Sequence, residues 1–226
     1  MDIRANLERV EAAVARACGR AGRSPADVLV LAVSKTVPVE RIRLAVDAGV
    51  RALGENRVQE ARGKIEALGH PVPWHLIGSL QTNKARDAAR LFDWIQSVDR
   101  VELVQELDRR AHAAERRLDV LVQVNVGEEP QKGGVAPSEL KALLDASVGL
   151  PTLRVRGLMT IPPLTTDAET ARPYFRRLRE LRDAAGLEHL SMGMSADFEV
   201  AIEEGATMVR IGTAIFGPRP GRGEAR

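Results

Sequence analysis

Residues 28–56 read VLVLAVSKTVPVERIRLAVDAGVRALGEN. Val28 to Val33 form an unbroken apolar run, which suits a strand buried on both faces. Pro38 stops that pattern. Residues 39–50 then place apolar side chains at helical spacing, with Gly49 near the stop. Residues 51–56 form a short second strand whose polar end is Glu55 and Asn56. A strand, a helix and a strand in so short a stretch make a βαβ unit with parallel strands.

The same unit repeats outward from this stretch. Upstream, Ile3, Leu7, Val10, Val14 and Ala17 recur at helical spacing and predict an extra helix ending near Gly19. Downstream, strands are expected at 72–78, 93–98, 118–126, 153–159, 187–193 and 207–217. Helices fall between them at 57–69, 81–92, 100–117, 136–147, 166–186 and 195–206. Gly63 weakens the first of these, Ser138 is the expected N-cap of the fourth, and Pro173 interrupts the start of the fifth. Eight alternations in 226 residues favour an α/β fold of one closed (β/α)8 TIM barrel over an open sheet. The extra helix would lie outside the barrel or cap its floor. No break in composition divides residues 1–226, which read as a single domain with a polar tail from about 219.

Composition narrows the function. Aromatic residues are only 3% of the chain, so the core is aliphatic and base-stacking surfaces are scarce. Lys and Arg number 33 against 31 Asp and Glu, interspersed, which speaks against nucleic acid as a partner. The basic run at 172–182 reads as a solvated helix face. A single cysteine, Cys18, allows no internal disulfide. The charged N-terminus lacks a signal-peptide core, and no stretch approaches the ~18 apolar residues of a membrane span. A soluble cytoplasmic protein is expected.

In a barrel the chemistry collects at the carboxyl ends of the strands. The candidates there are Lys35, then Glu55, Asn56 and Arg57, then His75 and Gly78, and Asn125 after strand five. Met159 and Thr160 follow strand six, and Ser191, Gly193 and Ser195 strand seven. Arg210, Gly212 and Thr213 belong to strand eight. Backbone N–H groups in turns after strands seven and eight commonly hold phosphate. A partly buried lysine has a lowered pKa, and its neutral amine can form a Schiff base with an aldehyde. Lysine and phosphate cradle together suggest a phosphorylated aldehyde, whether pyridoxal phosphate or the sugar phosphate of a class I aldolase. A barrel that serves only as a protein interface is the plainer alternative.

The segments AVSKT (32–36), GENRVQEA (54–61), WHLIGSLQTNKAR (74–86), GLMTIPP (157–163) and LSMGMSADFEVAIEEGATMVRIGTAIFG (190–217) resemble the pyridoxal phosphate homeostasis proteins. Those are single-domain relatives of the N-terminal barrel of alanine racemase. The resemblance spans about Val28 to Pro218. It implies pyridoxal 5'-phosphate (PLP) as cofactor, held as a Schiff base on Lys35. It implies a phosphate cradle of Ser191, Ser195, Gly212 and Thr213, with Arg210 facing the pyridine nitrogen. Asn56 and His75 would line the pocket, Met159 and Met192 would pack near the ring, and Lys132 would lie in a loop that assists cofactor transfer. No metal is implied.

An arginine opposite the ring nitrogen cannot give up its proton, so the ring stays a poor electron sink. The racemases draw a second base, a tyrosine, from a C-terminal domain across a dimer. The single tyrosine here, Tyr174, falls on the seventh helix of the barrel, and the polar tail past the last strand reads as too short for a second domain, so a second base is not expected. The expectation is a monomeric, non-catalytic PLP carrier that serves apo PLP-dependent enzymes in vitamin B6 and amino-acid homeostasis. A PLP-dependent racemase or lyase working with one base is the alternative.

Overall fold

A computed structural model describes residues 2–163 and 167–218. The expected polar tail from about 219 lies outside the described residues. Strands β1 (Leu29–Val33), β2 (Leu53–Glu55), β3 (Trp74–Leu76), β4 (Trp94–Val98), β5 (Leu118–Gln123), β6 (Leu153–Met159), β7 (His189–Met194) and β8 (Met208–Ile211) pair in parallel, each with the next. The barrel closes where β8 returns to β1, in the register Leu29↔Met208 to Ala32↔Ile211. This is the expected (β/α)8 barrel.

Period-two alternation divides the strand residues. Leu53, Trp74, Leu76, Ile95, Val120, Val122, Leu158, Leu190, Met192, Val209 and Ile211 belong to the large core between sheet and helices. Helices α2 (Val39–Asp47), α3 (Val58–Leu68), α4 (Ala85–Leu91), α5 (Val101–Ala113), α6 (Leu140–Ala146), α7 (Arg172–Ala184) and α8 (Phe198–Glu203) cover it. Inside the barrel, Leu31 and Val33 pack with Ala52 and Ile77, and Leu121 with Met159 and Met208. The interior also holds buried Gln96, Ser191 and Arg210, a polar content that packing alone does not require.

The extra helix, α1 (Ile3–Arg20), lies outside the barrel, against α2, α8 and the short α9 (Thr213–Phe216). Asp2 caps it by accepting the N–H groups of Arg4 and Ala5. Its buried stripe includes Ile3, Leu7, Val10, Val14 and Ala17, as the periodicity predicts. The buried Asn6 amide donates to the Ile215 carbonyl at 2.8 Å, tying α1 to α9.

Local details differ from the sequence reading. The expected strand 207–217 stops at Ile211, and Thr213–Phe216 turn helical although Thr and Ile favour strands. Ser138 does not cap α6; the cap position is Glu139, with no side-chain bond. Residues Ala168–Ala171 form a 3-10 turn and α7 begins at Arg172, with Pro173 in its first turn, where its missing N–H costs nothing. Among the described residues no helix is long and apolar enough to cross a membrane.

Candidate functional site

At the mouth, β1 ends in a turn that carries Lys35. Thr36 adopts a left-handed φ of 62°, strained for a β-branched residue. Two contacts hold it. The Thr36 N–H donates to Glu60 Oε1 at 2.5 Å. Behind the turn, the buried Lys64 ammonium donates to the Ser34 carbonyl (2.6 Å), Glu55 Oε1 (2.7 Å) and Glu60 Oε1 (2.6 Å). The Ser34 hydroxyl donates to the same Glu55 oxygen at 2.6 Å. Burial raises the Glu55 carboxyl despite Lys64 and Ser34, while Lys64 and the Thr36 amide outweigh burial at Glu60 and lower it. A buried ion pair thus fastens the stem from which Lys35 projects.

Across the mouth, β7 and β8 build the facing wall. Gly193 has a φ of +88°, and a Cβ there would lie 2.6 Å from Ala201 Cβ and 2.9 Å from Phe198 Cα. Only glycine allows this approach of β7 to α8. The register shifts between Ser191 and Met194, so Met194 reaches the mouth. Asp197 Oδ1 accepts the Met194 N–H at 2.6 Å and closes the turn that presents Ser195. The Ser195 hydroxyl is 3.4 Å from Thr213 Oγ1, a donor–acceptor contact between the β7 and β8 loops. The N–H groups of Thr213 and Ala214 open α9 and have no acceptor within it.

Arg210 lies below, 4% exposed. Its Nη1 donates to the carbonyl and the hydroxyl of Ser191, both at 2.8 Å, and its Nη2 to the Thr160 carbonyl at 2.7 Å. Burial pulls its pKa down to about 10, with Asp197 opposing, so the guanidinium stays charged at neutral pH.

One cavity of about 320 Å³ joins the two walls. Of the predicted site residues, Lys35, Asn56, Ser195, Arg210, Gly212 and Thr213 line it. The other four do not. His75 sits one layer deeper, 1% exposed, stacked on Trp94 and lining a separate cavity at the barrel floor. It projects inward from the middle of β3, while Ile77 takes the mouth position. Ser191 is fully buried, bonded to Arg210 and Gln96 in place of a ligand. Met159 packs inside the barrel against Leu121 and Met208, and Met192 points outward into the helix-side core. Lys132 is not in the lining; it donates to the Pro162 carbonyl at 2.9 Å and pairs with Glu129, linking the loops after β5 and β6.

The sequence reading missed Met194, Ile77 and Phe216 in the lining, and Lys64, Glu60, Gln96 and Asp197 in support. Lys64 left a signal. It shares a helix face with Ala61 and Ile65, where a solvated lysine is unexpected.

The arrangement suits a ligand with an electrophilic end and an anionic end. An amine stands on one wall, hydroxyls and turn amides on the other, and a fixed cation lies beneath.

Comparison with known proteins gives a consistent picture. Residues 5–220 match the family model for the alanine racemase N-terminal domain. The chain is 51% identical over 220 residues to the pyridoxal phosphate homeostasis protein of Aquifex aeolicus, covering 94% of this chain and 96% of that one. An unknown protein from Bifidobacterium adolescentis has a crystal structure similar to this fold, with a TM-score of 0.90 and 38% identity over 95% of this chain and 94% of that one. The structure of PipY from Synechococcus elongatus with PLP bound is similar at a TM-score of 0.81 and 40% identity, covering 91% of this chain and all (100%) of that one.

Proposed function

The chain belongs to the pyridoxal phosphate homeostasis protein family, and from that premise we propose that it binds PLP at the barrel mouth as a non-catalytic carrier in the cytoplasm. Lys35 holds the cofactor aldehyde as a Schiff base. Ser195, Thr213 and the turn at Gly212 receive the phosphate. Arg210 faces the pyridine nitrogen, and Asn56 borders the ring. The observation that carries this reading is the convergence of Lys35, Arg210 and the Ser195–Thr213 pair on one cavity. The donor set fits the group: a nucleophilic amine, a buried cation that cannot accept a proton, and hydroxyls opposite.

When bound, PLP supplies an aldehyde for amines and a ring able to withdraw electrons. The residues present favour holding over turnover. Arg210 remains a donor at neutral pH, and a guanidinium does not protonate a ring nitrogen. Among the described residues that line the cavity, Lys35 is the only amine, and no carboxylate, imidazole, thiol or phenol is present. Tyr174 packs on α7 against the outer core. A monomer that limits free aldehyde and delivers the cofactor to apo-enzymes completes the reading.

The test is an absorbance spectrum of the PLP-loaded protein before and after borohydride, with mass mapping of the modified lysine. Modification at Lys35 supports the assignment; modification elsewhere, with Lys35 intact, overturns it. Exchange of an L-amino acid α-hydrogen with deuterated solvent, well above the rate of free PLP, would replace the carrier with a one-base racemase or lyase.

A further inference from the structure

Four buried side chains run in line through the barrel interior, from the mouth to the floor. The Ser191 hydroxyl lies 2.8 Å from Arg210 Nη1 and 2.6 Å from Gln96 Oε1. Gln96 Nε2 lies 2.9 Å from His75 Nδ1. Gln96 and Ser191 have no exposed surface, His75 has 1% and Arg210 4%.

Hydroxyls, amides and imidazoles can each be oriented two ways, and heavy atoms alone do not say which. Here one end decides. A guanidinium only donates, so the Ser191 oxygen accepts from Arg210. Among the described residues Gln96 is the one partner left for the Ser191 hydroxyl hydrogen, which is used only when Gln96 presents its oxygen. The Gln96 amide nitrogen therefore faces His75 and donates to Nδ1. A neutral imidazole that accepts at Nδ1 carries its hydrogen on Nε2. Burial and the neighbouring His189 push the His75 pKa down to about 3, which keeps the ring neutral.

We propose that Ser191, Gln96 and His75 are positioning residues for Arg210: a hydrogen-bond rod with a fixed direction that locks the guanidinium beneath the cofactor pocket and locks His75 in its Nε2–H form. The rod braces the guanidinium through Nη1, on the residue that also gives Nη1 its carbonyl, while the Thr160 carbonyl takes Nη2. Three donors are thereby used within the barrel wall, and rotation of the guanidinium would leave buried acceptors unpaired. At the far end, His75 borders a floor cavity of about 510 Å³ with Trp94, His189 and Met208. Among the described residues its Nε2 makes no hydrogen bond; the bond of the ring is at Nδ1. The part that concerns the cofactor rests on the proposed function; the direction of the rod does not.

The experiment is imidazole ¹⁵N NMR on the full chain without cofactor, paired with PLP titration. The wild type should show His75 as the Nε2–H form alone. Gln96→Glu replaces the donor with an acceptor and should turn His75 to the Nδ1–H form, at a site that a merely space-filling residue would not influence. PLP affinity should fall about tenfold in Gln96→Glu and in Ser191→Ala, and stay within about twofold of wild type in Ser191→Thr, which keeps the hydroxyl. Should Gln96→Glu fail to fold, Ser191→Ala provides the same readout, since loss of the hydroxyl frees Gln96 to flip and makes His75 a mixture of forms. An Nδ1–H ring in the wild type, or a His75 signal indifferent to both substitutions, overturns the rod. The expected tautomers with unchanged PLP affinity overturn the positioning role alone. The expected tautomers in a protein that binds no PLP overturn the proposed function and leave the rod standing.

Discussion

The barrel has a concavity at each end, and the larger one is at the floor. The mouth cavity measures about 320 Å³ and the floor cavity about 510 Å³. At the floor the side chains answer one another. His75 stacks parallel to Trp94 at 5.4 Å, His189 meets Trp94 edge-on at 5.5 Å, and the Arg156 guanidinium lies 6.0 Å from the Trp94 ring centre. At the mouth the groups differ in kind and come from separate elements, each braced from behind. Lys35 has Lys64, Glu55 and Glu60 behind its turn, and Arg210 has Ser191 and Thr160. Size does not mark the site. What marks it is unlike chemistry arranged around one space and supported by buried bonds.

The largest expected effect separates the two ends outright. Lys35→Ala should abolish the protein-bound absorbance band and borohydride fixation of PLP, whereas Trp94→Phe at the floor should retain both. A band that survives Lys35→Ala would erase the distinction. Next, Lys64→Met should lower unfolding free energy by about 3–5 kcal/mol in urea titration, because Glu55 keeps a buried carboxylate without its counter-ion. Adding Glu55→Gln to that variant should recover part of the loss.

A third prediction concerns pH and the floor. The folded His75 pKa is about 3 against an ordinary 6.5. The unfolded chain therefore binds the proton that the folded chain refuses. The associated stability is complete above about pH 6.5 and declines as pH falls toward 3. Between pH 6.5 and 5 the wild type should lose about 1.6 kcal/mol more than His75→Gln, measured by urea unfolding at both pH values. Parallel losses would mean that the ring is solvated when folded. The smallest effect returns to the mouth. Ser195→Ala should weaken PLP binding by about 1 kcal/mol, roughly fivefold, in equilibrium titration. The same substitution should leave binding of the phosphate-free aldehyde unchanged.

The barrel was legible because its signals are local. Apolar runs such as Val28–Val33, alternating with amphipathic helices, require no knowledge of partners. Lys35 was legible for the same reason, as the residue just past a buried run. His75 lies below the mouth lining because its level in the barrel depends on the strand's end, and β3 stops at Leu76 instead of reaching Gly78. The parity of β7 was hidden too. The shift between Ser191 and Met194, around the left-handed Gly193, brings Met194 to the cavity and leaves Ser191 bonded inside. Lys64 stood out only by its helix face, and its role stayed hidden, since its partner Glu55 belongs to a different element. The short α9 read as strand because packing against α1, unseen in the local pattern, overrides the preference of its Thr and Ile.

The tie between α1 and α9 has a bearing on how the protein is made. In chain order α1 comes long before two of the elements it rests on, α8 and α9, so its packing is complete only after they are made, and β1 likewise waits for β8. A nascent chain stalled before residue 208 would therefore carry Lys35 on an unsealed edge, with Arg210 and Thr213 missing from the wall opposite. The mouth cavity is complete only once β8 and α9 have been made.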